Sequence, residues 1–288
     1  IVTSSSTQKS HIPTARLTAF IKSMTNVAFG WFHFGTHIQR AILSLPLAIA
    51  PFASASEDMT VAVATNFLQT AQSLRSEFQQ KNSVPIHLVG GSTGKLYAQI
   101  IQGAPFHLYL AADQARPRLL EEQGLVATGS RQTYAIGKLA LWVPNESPMP
   151  IEPSIRSLLQ SIKFRKLAIA NPNLAPYGVA AIETLKTLQL YDQLQPRLVF
   201  GENIGQTHAL VATGNAEVGF VAVSNVSRIK NVEKGILLQV RPHLHRPIRQ
   251  DSAMLRLGEH NAAAQRFNEF LHGPQGRTII RRAGYRVD

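Results

Sequence analysis

From residue 59 onward the chain alternates between short, β-branched apolar runs and stretches with helical periodicity, and that alternation leaves few folds open. The runs MTVAVAT (59–65), PIHLVG (85–90), FHLYLAA (106–112), KLAIAN (166–171), RLVFGE (197–202) and VGFVAVS (218–224) are continuous enough to be buried strands. Between several of them apolar residues recur at helical spacing: Leu68, Ala71, Leu74 and Phe78, then Leu96, Ile100 and Ile101, then Ile182, Leu185 and Leu188. Strand, helix and strand in succession predict an α/β fold of mostly parallel sheet with crossover helices.

The run TYAIGKLALWVP (133–144) is long enough to pass from one lobe to another. QDSAMLRL (250–257) supplies a return strand, and helical stretches at 260–271 and 274–283 then close the chain against the first lobe. The expected architecture is a discontinuous lobe I (58–136 plus 249–288) and an inserted lobe II (137–248). Each is a mostly parallel sheet flanked by helices, with a ligand in the cleft between the lobes.

Ahead of this region Arg40 precedes the apolar run AILSLPLAIAPF (41–52), which ends in Ala53-Ser54-Ala55 before Glu57-Asp58. A positive flank, a short apolar core and a small-x-small site are the parts of a secretory signal. The run is shorter than the roughly 20 residues of a membrane span. Residues 1–55 are therefore expected to be a leader cleaved near Ala55, with a start at Met24 giving a conventional length, and the remainder to be periplasmic.

Cysteine is absent, which removes thiol catalysis and Cys-based metal sites. Of the 29 Lys and Arg, four (Lys9, Arg16, Lys22 and Arg40) lie in the first 55 residues, which hold none of the 17 acids. The 25 against 17 that remain give about +8 with no basic run interleaved with aromatics; RTIIRR (277–282) reads as the solvated face of a terminal helix. Diffuse positive charge of this kind argues against nucleic acid and suits anion attraction or solubility.

The chemistry is concentrated at four strand-to-helix junctions: Thr65-Asn66, Gly90-Gly91-Ser92-Thr93-Gly94, Ala175-Pro176-Tyr177-Gly178 and Asn203-Ile204-Gly205-Gln206. Asn66 with Gln69 and Asn203 with Gln206 have capping-box spacing. Each junction offers backbone N–H groups at the positive end of a helix dipole, and Thr65, Asn66, Ser92, Thr93 and Tyr177 add neutral donors. In parallel α/β sheets such junctions lie at the ligand-binding carboxyl ends of the strands. Two fall in each lobe, so closure would gather all four around one anion. Glu202 is the one acid among them, which favours a fully deprotonated oxyanion. Ser, Thr, Asn and Gly also cap helices with no ligand at all.

As an ordered set, VAVATNF, GGSTGKLYAQIIQGAPFHLYLAAD, SRQTYAIGKLALW, AIANPNLAPYGVAA, GENIGQTHALVATGNAEVGFVAVS and FLHGPQGRTIIRRAGY resemble the periplasmic molybdate-binding proteins of ABC transporters over residues 58–288. That resemblance implies the type II periplasmic-binding-protein fold and a monomer that is not an enzyme and has no cofactor. It implies molybdate or tungstate as ligand and an ABC permease as partner. Carried over by position, the oxyanion ligands are Thr65 or Asn66, Thr93 with Ser92, Tyr177, and the backbone N–H of Ile204. Some members place a ligand tyrosine in the last strand of lobe II, where this chain has Ala222. Lys95, one turn into its helix, is either an anion-steering group or an exposed helix lysine.

Rival chemistries are weaker. Gly90-Gly91-Ser92-Thr93-Gly94 also fits the nucleophile elbow of serine hydrolases, with Asp251 and His260, or Asp192 and His208, as partners in chain order. The same stretch fails as a P-loop because Leu96 follows Gly94-Lys95. His243 and His245 lack acidic or cysteine company for a metal. A sensor domain of a transcription regulator would carry a helix-turn-helix where residues 1–55 show a signal-like segment. If the leader is cleaved, sequencing the N-terminus of the exported protein will find it at or near Ser56; a full-length cytoplasmic product would contradict export.

Overall fold

In the computed structural model, residues 58–144, 154–226 and 235–288 are described; the expected leader, 1–55, lies outside them. In chain order they run β1 (Met59–Ala64), α1 (Leu68–Gln79), β2 (Ile86–Gly91), α2 (Thr93–Ile101), β3 (Leu108–Leu110), α3 (Ala115–Glu122) and β4 (Gln132–Gly137). There follow β5 (Leu139–Pro144), α4 (Ile155–Ser161), β6 (Leu167–Ala170), α5 (Pro176–Thr187), α6 (Tyr191–Leu194), β7 (Leu198–Gly201), α7 (Ile204–Ala212), β8 (Val218–Ala222), α8 (Val223–Val226) and β9 (Gly235–Gln239). The chain ends with β10 (Ile248–Met254), α9 (Arg256–Glu259), α10 (Ala262–His272) and α11 (Pro274–Arg282).

The strands form two five-stranded sheets, ordered β2-β1-β3-β10-β4 and β7-β6-β8-β5-β9. In each, one strand runs against the rest: β10 is antiparallel to β3 and β4, and β5 is antiparallel to β8 and β9. These are the strands through which the chain returns to the first sheet and reaches the second. Only Lys138 separates β4 from β5, so the passage between sheets is a near-continuous extended segment.

Period-two alternation divides each strand between two cores. In the first sheet Val61, Val63, Leu108 and Leu110 pack with Phe67, Leu74, Phe78, Phe267 and Ile280, while Ala62, Tyr109 and Ala253 face Leu96, Ile100 and Leu120. In the second, Leu139, Leu141, Leu167, Ile169 and Phe220 pack with Leu158, Ala181 and Leu185. Each fully buried large side chain contributes about 1.5–3 kcal/mol.

Two expectations are corrected. The runs at 85–90 and 197–202 become edge strands rather than buried ones: β2 and β7 each pair on one side only, and Phe200 is 54% exposed. β9, not expected from the sequence, borders the second sheet by pairing with β5.

The return strand is pinned by charge. Asp251, 1% exposed, accepts from Arg131 Nη1 at 2.9 Å, Thr133 Oγ1 at 2.6 Å and Gln114 Nε2 at 3.1 Å. Beside it Ser252 Oγ lies 2.9 Å from His272 Nε2, and burial, aided by Arg277, pushes the imidazole down to about 4. Since the unfolded pKa is near 6.5, the stabilisation from keeping His272 neutral is whole above pH 6.5 and lost as pH falls from 6.5 to 4. The melting temperature should therefore fall more steeply over that window in the parent protein than in His272→Gln, as measured by circular dichroism; parallel curves would refute the assignment.

Candidate functional site

Four chain segments converge at the facing carboxyl ends of the two sheets. A small, half-open cleft with a volume of about 10 Å³ is lined by Ala64, Thr65, Asn66, Gly91, Ser92, Thr93, Ala112, Ala175, Pro176, Tyr177, Asn203 and Ile204. All six residues selected from sequence, Thr65, Asn66, Ser92, Thr93, Tyr177 and Ile204, stand on its wall. Sequence reasoning did not name the small residues Ala64, Gly91, Ala112 and Ala175 as lining, although Gly91 and Ala175 sat within the junctions it selected.

Local chemistry explains how each junction is aimed. Ser92 caps α2, its Oγ accepting from Lys95 N–H at 3.3 Å. Thr93 Oγ1 accepts from Ala112 N–H at 3.2 Å, and Thr93 O from Tyr109 OH at 2.7 Å. Asn203 caps α7 by accepting from Gln206 N–H at 2.9 Å. Pro176 opens α5 at a position where its missing N–H costs nothing. Gly178 lets that helix start directly on β6, because a Cβ there would land on Ala170 O. The amides of Thr93 and Ile204, which open α2 and α7, and of Tyr177, which follows Pro176, have no intrahelical acceptor by geometry, and these residues line the cleft.

One capping prediction fails. Asn66 and Gln69 form no box: α1 begins after Phe67 without a side-chain cap. Asn66 Nδ2 instead donates to Gln250 Oε1 at 2.8 Å and to Tyr285 OH at 3.1 Å. The second box is made in altered form, with Gln206 Oε1 accepting from Glu202 N–H rather than from the cap residue itself.

Tyr177 is 1% exposed, and its hydroxyl accepts from Gln250 Nε2 at 3.3 Å. Burial, reinforced by Tyr285, raises its pKa well above the usual tyrosine value, so it is a neutral donor at any physiological pH. Ala222, where a tyrosine was the alternative, is fully buried at the end of β8 opposite Leu139 and does not line the cleft.

The two sides of the cleft are in contact. Gly94 N–H donates to Leu174 O at 2.8 Å, and Arg116, gripped by Asp113, donates to Asn173 O at 2.9 Å. Lys95 Nζ lies 3.2 Å from Glu202 Oε1. The lysine considered for anion steering is therefore paired, and with the one acid of the four junctions.

The hydrolase geometry is not assembled. Among the described residues, Ser92 Oγ is bonded to Lys95 N–H and to no histidine. Asp251 is committed to Arg131, Thr133 and Gln114, and His208 stacks on Trp142. No cluster of three or more His, Asp or Glu that could hold a metal occurs among the described residues.

The sequence profile of the bacterial extracellular solute-binding proteins matches residues 59–286. The chain belongs to that family. The molybdate-binding protein ModA of Azotobacter vinelandii is 38% identical over 248 residues, 86% of this chain and 97% of the relative. ModA of Rhodobacter capsulatus is 40% identical over 243 residues, 84% of this chain and 93% of the relative. The solved periplasmic molybdate-binding protein of A. vinelandii matches the fold with a TM-score of 0.74 at 34% identity, over 80% of this chain and 99% of that one. These relatives are binding proteins by name, and the fold is shared with the solved one.

Ser92 has a structural duty in this member of the family. Ser92→Ala, which deletes the cap of α2, should cost about 1 kcal/mol and lower the melting temperature by about 2–4 °C. An unchanged melt would show that the cap contributes nothing.

Proposed function

We propose that this solute-binding protein captures a fully deprotonated tetrahedral oxyanion, molybdate first and tungstate with it, outside the cytoplasm and delivers it to the permease of an ABC importer. The observation that carries the proposal is the polarity of the cleft wall. Ser92, Thr93 and Tyr177 each present a hydroxyl whose oxygen already accepts an internal N–H, from Lys95, Ala112 and Gln250 respectively. A hydroxyl with an engaged lone pair has its proton left to give.

The acceptors on the same wall are also occupied. Ala64 O accepts from Phe67 N–H, Gly91 O from Thr65 N–H and Ala175 O from Gly178 N–H, while Asn203 Oδ1 accepts from Gln206 N–H. With these acceptors engaged, the wall is richer in donors than in groups placed to receive a proton from the ligand. Thr65, Ser92, Thr93 and Tyr177 would bind through hydroxyls. Asn66, its side chain committed to Gln250 and Tyr285, and Ile204 would bind through backbone N–H.

Each neutral donor to a charged acceptor contributes roughly 1.5–3 kcal/mol, so six offset a large part of the desolvation of a dianion without a buried cation. Donors from both sheets meet the same anion, so binding favours the closed arrangement of the lobes, and that arrangement is what a permease would recognise. The names of the relatives and the leader-like segment before residue 56 support export; the reading is of a periplasmic monomer with no cofactor and no nucleic-acid partner.

Calorimetric titration with molybdate, tungstate, hydrogen phosphate and sulfate tests this. One-to-one heat is expected with the first two and none with hydrogen phosphate, which brings a proton that finds no acceptor. Ser92→Asp should keep the cap of α2 and the parent melting temperature yet abolish capture by placing a carboxylate among the donors. Absence of heat with every anion would overturn the proposal, and sulfate binding as tightly as molybdate would overturn the stated preference.

A further inference from the structure

Behind Tyr177 stands a buried side chain that does not itself line the cleft. Gln250, fully buried on β10, accepts at Oε1 from Asn66 Nδ2 at 2.8 Å and from Tyr134 OH at 3.1 Å. Its Nε2 is thereby turned toward Tyr177 OH, 3.3 Å away. The strand register shifts between Gln250 and Asp251, an irregularity of the kind that re-aims a side chain out of the regular alternation. Asp251 keeps to Arg131 while Gln250 points to the hydroxyl.

We propose that Gln250 is a positioning residue that makes Tyr177 an obligate donor to the bound anion and does so only when the two lobes are closed. The proposal rests on the oxyanion reading of the cleft. A phenol hydroxyl can donate or accept; an amide N–H held against its oxygen occupies a lone pair on that side and turns the proton away from it, toward the ligand. Backbone amides of the first lobe do this for Ser92 and Thr93. For Tyr177, on α5 of the second lobe, the orienting group comes from the first lobe, so the contact forms as the lobes meet.

The surroundings are built for this contact. Gly137, at the end of β4, lies so near that a Cβ there would strike Tyr177 OH and come within 2.6 Å of Gln250 Nε2. Asn66, which orients Gln250, is itself fixed by a ring of bonds: its Nδ2 donates to Tyr285 OH, which donates back to Asn66 O at 2.7 Å, where Ser224 Oγ also donates at 3.1 Å. Ser224 follows β8 of the second lobe, so this ring also spans the cleft. Ion pairing plays no part in it; the groups around Gln250 are neutral amides and hydroxyls.

The test is a double-mutant cycle on the full chain, with molybdate as probe and binding read by calorimetry and stopped-flow. Tyr177→Phe should weaken binding about tenfold or more, by loss of one donor to a charged acceptor. Gln250→Met should weaken it about five- to tenfold, through faster dissociation with association nearly unchanged. In the Tyr177→Phe background the same Gln250→Met change should cost less than twofold. Gly137→Ala, which keeps both polar groups but pushes them apart, should reproduce the loss of Gln250→Met. Gln250→Glu, whose carboxylate would draw the Tyr177 proton to itself, should be worse than Gln250→Met, and that excess should shrink in the Tyr177→Phe background.

Equal costs of Gln250→Met with and without the Tyr177 hydroxyl would overturn the proposal, since Gln250 would then act through the fold alone. Parent-like binding by Gln250→Glu would overturn it too, by showing that Tyr177 donates to position 250. If the parent binds molybdate but Tyr177→Phe binds equally well, the assignment of Tyr177 falls and the proposal with it. If the parent binds no oxyanion, the reading of the cleft itself has failed. If Gln250→Met melts far below the parent, Gly137→Ala takes its place in the cycle, since it keeps every polar group of the network and displaces only the contact.

Discussion

A doubly charged anion is drawn out of water at least cost where the groups that meet it donate, and on the proposed reading much of the fold around the cleft answers to that constraint. Four strand ends deliver helix N-termini, whose first amides are unsatisfied by construction. The neutral hydroxyls beside them would be ambiguous partners on their own. Internal N–H groups resolve the ambiguity: Lys95 N–H on Ser92, Ala112 N–H on Thr93 and the Gln250 amide on Tyr177. The same wall holds no free carboxylate, because Glu202 is matched to Lys95 across the cleft.

The constraint reaches into the topology. β10 carries Gln250 under the cleft while its neighbour Asp251 locks the strand to β4 through Arg131 and Thr133. β4 ends in Gly137, beside the Tyr177 hydroxyl, one residue before the chain enters the second sheet. The segment that connects the lobes and the strand that returns from them therefore both border the contact that joins them. Contacts farther out hold the rim: Gly94 with Leu174, and Arg116 with Asn173. The Lys95–Glu202 pair is half exposed and worth little by itself, whereas the Arg116 bond is made by a side chain already organised by Asp113.

What could be read from sequence was local. MTVAVAT, KLAIAN and VGFVAVS announce strands because their apolar runs are unbroken, and Ser92, Pro176 and Asn203 announce helix starts because capping is a matter of a few adjacent residues. The six residues named at the junctions meet in one cleft for the same reason: each sits directly after a strand, and parallel strands end together. Reading failed where a distant partner decided the outcome. Asn66 has the spacing of a cap, yet its amide is taken by Gln250 and Tyr285, 184 and 219 residues away. Gln250 lies inside a run that reads only as a strand, and nothing nearby hints that its side chain faces a tyrosine from the other lobe. β9 escaped because GILLQ is five residues long and an edge strand needs no strong pattern of its own.

The exchange of a tyrosine for Ala222 follows from the same geometry. Ala222 and Tyr177 belong to one buried cluster, in which Ala64, Ala112, Ala170 and Ala175 also lie among larger apolar side chains such as Leu139 and Phe220. A second aromatic at position 222 would have to enter a space closed on every side, since both residues are essentially inaccessible and close-packed interiors tolerate added volume poorly. In this chain the hydroxyl of the second lobe stands at the start of α5, and the end of β8 has no room for another without displacing its neighbours. Supplying it from α5 places the oxygen against Gln250, so the choice of small residues at 222 and 137 and of an amide at 250 forms one packing solution rather than three independent substitutions.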